Sequence, residues 1–235
     1  MSFNFEFLVD TFFVAVSGVP VVLLVTAVSL LIAIPFGFFL ALTRVYKIPV
    51  LHRIAQVYVS FVRGTPIIIQ IFVLYSSIPL ILTSFFERYQ IDVKVYDINP
   101  GWYGFIIFSF NTTAILIEVF RSALGTVNKG QLEAAQSVGL TNAQAYRRIV
   151  IPQAAVVAMP NLCTATVNLI KATSLGYAFS LQEITLKAKV AANVGYNYLE
   201  AYIDIFIVYM ILCMVVEFLF KRYELHLRKY KYAGA

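Results

Sequence analysis

Five long apolar stretches constrain what this chain can fold into more than any other feature of its sequence. They cover about residues 14–42, 66–86, 102–121, 154–176 and 202–220. An α-helix needs about 20 residues to cross roughly 30 Å of hydrocarbon, whereas strands of membrane barrels are about half as long. The sequence therefore predicts an all-α integral membrane protein with about five transmembrane helices in one domain, residues 1–235. The first stretch is over-long, and Pro20 and Pro35 either kink it or mark a short external lead-in.

Composition supports lipid as the solvent and argues against other classes of protein. Of the 235 residues, 60% are hydrophobic and 13% are charged, compared with about 25% charged in soluble domains. The sequence has no Cys and His cluster with metal-ligand spacing, no Ser-His-Asp signature and no Gly-rich phosphate loop. We therefore expect no catalytic residue, no metal and no cofactor on this chain. The net charge of +6 does not indicate nucleic-acid binding, because the basic residues lie between apolar stretches.

The distribution of Lys and Arg predicts how the chain is oriented in the membrane. Thirteen of the 18 lie in segments 44–63 and 121–152 and in the tail after residue 220, and the alternate segments hold four. Positive residues collect on the cytoplasmic side of membrane proteins. Five spans then place the N-terminus outside and the C-terminus in the cytoplasm. We expect the first span to be retained, because residues 1–10 lack the positive charge that opens a signal peptide.

The segment 122–153, between the third and fourth spans, predicts a structured helix-turn-helix on the cytoplasmic side. Residues 131–138 have the pattern of a short helix, which Gly139 interrupts. Thr141, with Gln144 three residues later, has the pattern of a capping box. The second short helix is expected to run to about Val150, with Pro152 as its limit. Such a segment either binds a cytoplasmic partner or is an ordered loop folded against its own spans.

Motifs in and around this segment resemble a known family of transport proteins. Glu133-Ala134-Ala135, followed by Gly139, Ile149 and Ile151-Pro152, resembles the EAA loop of ABC importer permeases. Further phrases narrow the resemblance to the polar-amino-acid branch, the histidine and glutamine permeases. These phrases are Phe61-Val62-Arg63-Gly64-Thr65-Pro66 with Gln70, Glu118-Val119-Phe120-Arg121, Lys129-Gly130-Gln131 and Lys171-Ala172-Thr173-Ser174-Leu175. Ala172 departs from the family, which commonly has an acid or amide at that position.

The resemblance implies a permease subunit of a binding-protein-dependent, ATP-driven amino-acid importer in the bacterial cytoplasmic membrane. Its EAA loop would be a coupling helix that docks on an ATPase subunit. The implied coupling residues are Glu133, Ala134, Ala135, Gly139, Leu140, Ile151 and Pro152. The implied partners are two ATPase subunits, which carry ATP and Mg, a second permease chain, identical or homologous, and an extracellular solute-binding protein. This chain would not hydrolyse ATP, because it has no Walker-type loop.

Ionisable residues inside the predicted spans are candidates for the substrate path, because each is costly in hydrocarbon. Glu118 either lines the path or pairs with Arg121 on the same helical face. Lys171, which has polar neighbours, either lines the path or makes an interhelical structural contact. Glu217 is close enough to Lys221 for an i,i+4 pair, and we assign it no transport role.

Arg63, Thr65 and Thr113 are further candidates for the path. The chain around Thr65 is either a broken helix end that binds a zwitterion or a plain helix start with a basic anchor, Arg63. Thr113 is weaker, because threonines in helices commonly bond to their own helix. Glu118 is the strongest acidic candidate in spans two to four, so we expect a neutral or zwitterionic amino acid. Resemblance to bacterial cystine permeases ranks cystine before glutamine and histidine.

An ion-gradient-driven secondary transporter or channel subunit is the alternative function. Five spans permit no even inverted repeat of the kind that many secondary transporters contain. The cytoplasmic helix-turn-helix would also have no purpose in such a protein. The sequence therefore favours the ATP-driven importer.

Overall fold

The chain forms a bundle of helices, and the computed structural model describes residues 3–232 of it. The described residues contain no strand. The ten α-helices are α1 (Phe5–Val16), α2 (Val19–Val45), α3 (Leu51–Gly64), α4 (Ile67–Arg88), α5 (Pro100–Gly125), α6 (Lys129–Ser137), α7 (Asn142–Ala145), α8 (Ile151–Thr173), α9 (Ile184–Ala192) and α10 (Tyr198–Tyr232). Five segments are long and apolar enough to cross a membrane, and each coincides with one of the five predicted stretches.

The first span is a pair of helices rather than one kinked helix. It runs over Phe5–Val45 and breaks between α1 and α2 at Ser17 and Gly18. Gly18 is needed there because a Cβ atom on it would lie 2.7 Å from the carbonyl carbon of Glu183. Lys187 of α9 donates hydrogen bonds of 3.0 Å to the carbonyl and hydroxyl oxygens of Ser17. The break in the first span is therefore the place where the start of α9 packs.

Most of the segment 44–63 forms a separate helix, α3, which the sequence did not predict. Its 14 residues are too few to cross a bilayer. One face, with Ala55, Val59 and Val62, is buried against α2 and α5, while Val57 and Phe61 on another face are exposed. Burial raises the pKa of Tyr58 on the packed side to about 12, so that its hydroxyl stays a donor to the carbonyl oxygen of Phe110.

The predicted fourth span, 154–176, lies within the apolar segment Asn142–Phe179, and its last three residues are in a 3₁₀ turn after α8. After α8 ends at Thr173, a 3₁₀ turn, Ser174–Phe179, leads to the start of α9. Helix α9 then packs along the first turns of α10. Helix α9 begins beside Tyr209 of α10. Tyr209 lies about 17 Å from Tyr198, the first residue of α10, at a rise of 1.5 Å per residue.

Helix α5 is the centre of the bundle and packs closely on α2 and α8. Small residues permit this approach, as they do in many membrane helix pairs. Ala33 of α2 and Ala165 of α8 are buried against Leu116. Gly37 also faces Leu116, where an added Cβ atom would lie 3.0 Å from the Leu116 Cβ. Helices α2, α5 and α8 therefore form a tight core from which the functional segments project.

Candidate functional site

Between α5 and α8 lies a compact helical unit built on two capped short helices. Asn128 caps α6, and its Oδ1 accepts a hydrogen bond of 2.9 Å from the Gly130 amide. The chain reverses at Gly139, whose φ of +84° is a left-handed conformation that suits glycine. The Leu140 amide then donates to the Ala135 carbonyl over 3.1 Å. The predicted interruption at Gly139 is confirmed.

The capping box predicted for the second short helix is confirmed. Gln144 Oε1 accepts a hydrogen bond of 2.9 Å from the Thr141 amide, and Thr141 Oγ1 accepts one of 3.3 Å from the Gln144 amide. The predicted end at Pro152 is wrong, because the chain continues through a π turn, Tyr146–Val150, into α8. Pro152 stands in the first turn of α8, where a missing amide hydrogen costs nothing. The unit is therefore shorter than the predicted segment 122–153, because α5 extends to Gly125 and α8 begins at Ile151.

The outer face of α6 is exposed and carries one acid, Glu133, while Lys129 at its start and Arg147 and Arg148 farther along the unit are exposed bases. Ala135 is buried, whereas Glu133 and Ala134 are exposed and Val138 is 77% exposed. A face with small and apolar side chains and a single acid permits a close approach by another protein. Leu140 and Ile151 are half-buried, and Pro152 is exposed.

The unit is attached to the bundle by an apolar cluster at its base. Val150 and Ala154 on the α8 side pack with Ala123 and Leu124 at the end of α5. All four side chains are nearly inaccessible to solvent. A displacement of the unit is therefore transmitted to α5 and α8 together, since close-packed side chains do not deform continuously.

Glu118 is the centre of a three-residue ion-pair network rather than a free acid. Arg121 donates two hydrogen bonds to Glu118 Oε2, from Nε over 2.9 Å and from Nη2 over 2.7 Å. This confirms the local pair suggested by the sequence. Arg44 of α2, which the sequence did not connect with Glu118, pairs with the other carboxylate oxygen. Glu118 therefore joins α2 to α5 and is already neutralised.

Thr65, at the break between α3 and α4, is held by a network around the buried amide of Gln70. Gln70 Nε2 donates hydrogen bonds to the Val62 carbonyl over 2.7 Å and to Thr65 Oγ1 over 2.8 Å. Asn111 of α5 donates to Gln70 Oε1 over 3.0 Å, which ties the break to the central helix. The Thr65 hydroxyl in turn donates to the Phe61 carbonyl over 2.9 Å, so Thr65 has a structural role. Arg63 beside it is exposed.

Thr113 bonds within its own helix. Its hydroxyl donates to the Ser109 carbonyl over 2.7 Å, and the side chain is buried. Of the two roles predicted for Thr113, the structure therefore shows the bond within its own helix, and among the described residues it gives no contact that supports a position on the substrate path.

Lys171 lies on an exposed face of α8, where two adjacent cavities open between α8 and α10. They have volumes of about 430 and 400 Å³, and both are lined by Lys171 and Glu217. The predicted pair of Glu217 with Lys221 is wrong, because no ion pair within 4.0 Å joins these two described residues. In contrast to Glu118, Glu217 is therefore not neutralised by a neighbouring base.

Sequence reasoning missed Glu183, which is fully buried at the start of α9. Its Oε1 and Oε2 accept hydrogen bonds from the amides of Leu186 over 2.9 Å and Thr185 over 2.7 Å. Tyr209 of α10 donates to Oε2 over 2.8 Å. The sequence carried no clear signal for this role, because Glu is not among the residues typical of a helix N-cap and Lys187 and Lys189 interrupt the apolar residues after it.

Comparison with protein families places most of the chain in one of them. Residues 33–229 match the family described as binding-protein-dependent transport system inner membrane component.

Individual relatives match over nearly the full length. The chain is 36% identical to the L-cystine transport system permease protein TcyL of Bacillus subtilis (strain 168), over 89% of this chain and 85% of that protein. It is 33% identical to the probable amino-acid permease protein YxeN of the same organism, over 94% of both chains. The crystal structure of an amino acid ABC transporter with histidines matches with a TM-score of 0.79 at 26% identity, covering 96% of this chain and 100% of that one.

Proposed function

The chain belongs to the family of binding-protein-dependent transport system inner membrane components, and we propose that it is the permease subunit of an ATP-driven amino-acid importer. Relatives named as amino-acid permeases that match most of its length support this function. ATP and Mg are assigned to a separate ATPase chain, and this chain supplies half of the translocation pathway.

The observation that carries the proposal is the exposed helical unit around α6. Glu133 and Ala134 lie on its open face, and Gly139 sets the angle between its two short helices. The face fits a shallow groove on a cytoplasmic protein, with Glu133 placed to meet a basic group there. We therefore assign α6 as the helix that docks on the ATPase, with Ala135, Leu140, Ile151 and Pro152 shaping and supporting it.

Coupling follows from the way in which the unit is attached. When two ATPase subunits close on ATP, the docked α6 moves with them, and the packing of Val150 and Ala154 on α5 carries the motion into α5 and α8. Lys171 lies near the other end of α8, so a rigid-body tilt of α8 changes which side of the membrane its cavities face.

The assembly consists of this chain, a second permease chain, two ATPase subunits and an extracellular solute-binding protein, in the bacterial cytoplasmic membrane. The excess of Lys and Arg around α6 and in the tail supports a cytoplasmic position for both. The N-terminus is then outside. The substrate is a neutral or zwitterionic amino acid, because Glu118 is already paired with two arginines.

Co-purification with the ATPase subunit of the importer tests the docking assignment. Glu133→Lys reverses the charge on the exposed face of α6 and is expected to lower ATPase recovery while membrane insertion stays normal. Glu87→Lys, an exposed charge reversal at the far end of α4, is the matched control and should leave recovery unchanged. Equal recovery with wild type and Glu133→Lys would contradict the assignment.

A further inference from the structure

Two side chains of opposite charge, Lys171 of α8 and Glu217 of α10, line the same cavities without pairing. They lie more than 4.0 Å apart, and both are exposed to the groove between the helices. Neither charged group has a hydrogen-bond or ion-pair partner among the side chains described for residues 3–227. A charge in a membrane span faces protein or water because hydrocarbon does not solvate it.

Lys171 and Glu217 lie at the edge of the contact between α8 and α10. Val167 and Ile170 of α8 are buried against Val208 and Leu212 of α10 in one apolar cluster. Lys171 and Glu217 line the cavities beside this cluster. Because the two charged groups line the same cavities without pairing, a ligand that carries both charges is able to contact them together.

A free amino acid has the required charges. Its carboxylate matches the Lys171 ammonium, its ammonium matches the Glu217 carboxylate, and both contacts are charge-assisted hydrogen bonds. Phe206, Met210 and Met214 line the same cavity and offer an apolar, adaptable surface to a side chain. The volume of about 430 Å³ lies within the range of small-molecule sites.

We infer that Lys171 and Glu217 form a clamp for the carboxylate and ammonium groups of a neutral amino acid in transit, whose side chain points toward Phe206, Met210 and Met214. This inference rests on the proposed function and names the binding site within it. Glu217, to which the sequence assigned no transport role, becomes a residue that binds the substrate. An uncharged side chain is favoured because the clamp uses both charged groups of the cavity beside the methionines.

Binding to the purified complex of permease and ATPase, in detergent and without the solute-binding protein, tests the clamp. The probe is whichever of radiolabelled cystine, glutamine or histidine the reconstituted wild-type complex takes up. Lys171→Met and Glu217→Gln are each expected to weaken binding in equilibrium dialysis by about tenfold to a hundredfold, as the loss of a charged hydrogen bond predicts. Arg222→Gln, on the same helix but outside both cavities, is the control and should bind like wild type.

A charge exchange separates a clamp from a structural role. The double variant Lys171→Glu with Glu217→Lys keeps both charges, so it should bind more tightly than either single variant. Its purification yield and melting temperature are compared with those of Glu217→Gln. Wild-type affinity in Glu217→Gln would overturn the clamp, and so would single variants that lower complex yield while the remaining complex binds normally. The second result would indicate that another protein chain covers the groove.

The two proposals fail in different ways. If the wild-type complex takes up no amino acid when ATP, ATPase and binding protein are present, the proposed importer function is wrong. If uptake is normal but the detergent complex shows no saturable binding that depends on Lys171 and Glu217, the clamp alone is wrong.

Discussion

Tyr209 of α10 donates a 2.8 Å hydrogen bond to Glu183, the buried cap of α9. Glu183 in turn begins the helix that packs against Gly18 at the break in the first span. The pair therefore connects the first span, α9 and α10 around the point where α8 ends. Without these hydrogen bonds, burial of the Glu183 carboxylate would cost free energy of folding.

Tyr209→Phe should lower the stability of the protein without changing its helix content. The substitution removes the hydroxyl bonded to Glu183 and is expected to cost about 1–3 kcal/mol, the range for a buried bond to a charged group. Thermal unfolding in detergent measures the effect. Tyr202→Phe is the control, because Tyr202 is exposed on the same helix. Equal melting temperatures for the two variants would show that the bond does not stabilise the fold.

Removing Arg44 should be more harmful than removing Arg121, although both pair with Glu118. The Arg44 side chain is 13% exposed and joins α2 to α5, whereas Arg121 is 44% exposed and pairs within α5. We expect Arg44→Met to cost about 1–3 kcal/mol of unfolding free energy and Arg121→Met no more than about 1 kcal/mol. Denaturation of the purified variants compares them. The reverse order would contradict the structural role assigned to Arg44.

Gln70→Leu should loosen the break between α3 and α4. The leucine fills a similar volume but leaves the Val62 carbonyl and the Asn111 amide without the bonds that Gln70 makes. Proteolysis or cysteine accessibility near residue 65 should therefore increase relative to wild type. Gln56→Leu, at an exposed position of α3, is the matched control. An unchanged accessibility in Gln70→Leu would show that the Gln70 amide does not stabilise the break between α3 and α4.

The spans and the short capped helices were predictable because their signals are local. An apolar run identifies a span wherever its partners lie, and Thr141 with Gln144 forms its box within four residues. Helix α3 was missed because it is too short and too polar to be a span, although Ala55, Val59 and Val62 have the spacing of one face of an amphipathic helix. Which elements that face contacts follows only from the packing of α2 and α5.

Contacts between distant residues were not predictable from spacing. Arg44 and Glu118 are 74 positions apart, and only the packing of α2 on α5 brings them together. Likewise, Lys171 and Glu217 lie in different predicted spans, and the i,i+4 pattern favoured Lys221 as the partner of Glu217. In the structure Glu217 does not pair with Lys221 and instead lines the same cavity as Lys171.

Labelling of single cysteines in intact cells tests the orientation. After Cys163 and Cys213 are replaced, Lys94→Cys should react with an impermeant reagent, and Asn128→Cys should react only in broken cells. The reason is that residue 94 precedes α5 and residue 128 follows it, and Lys and Arg collect on the side of residue 128. Labelling of residue 128 but not residue 94 in intact cells would invert the proposed topology.

Uptake into proteoliposomes that contain this chain, its ATPase and the solute-binding protein tests the central claim most directly. We predict amino-acid uptake that requires ATP and is abolished by Gly139→Pro, because proline cannot adopt the left-handed conformation of Gly139 and so alters the reversal after α6. The variant should still insert in the membrane, since residue 139 lies outside the five spans. Uptake driven by an ion gradient without ATP, or ATP-driven uptake that Gly139→Pro leaves at the wild-type rate, would contradict the account.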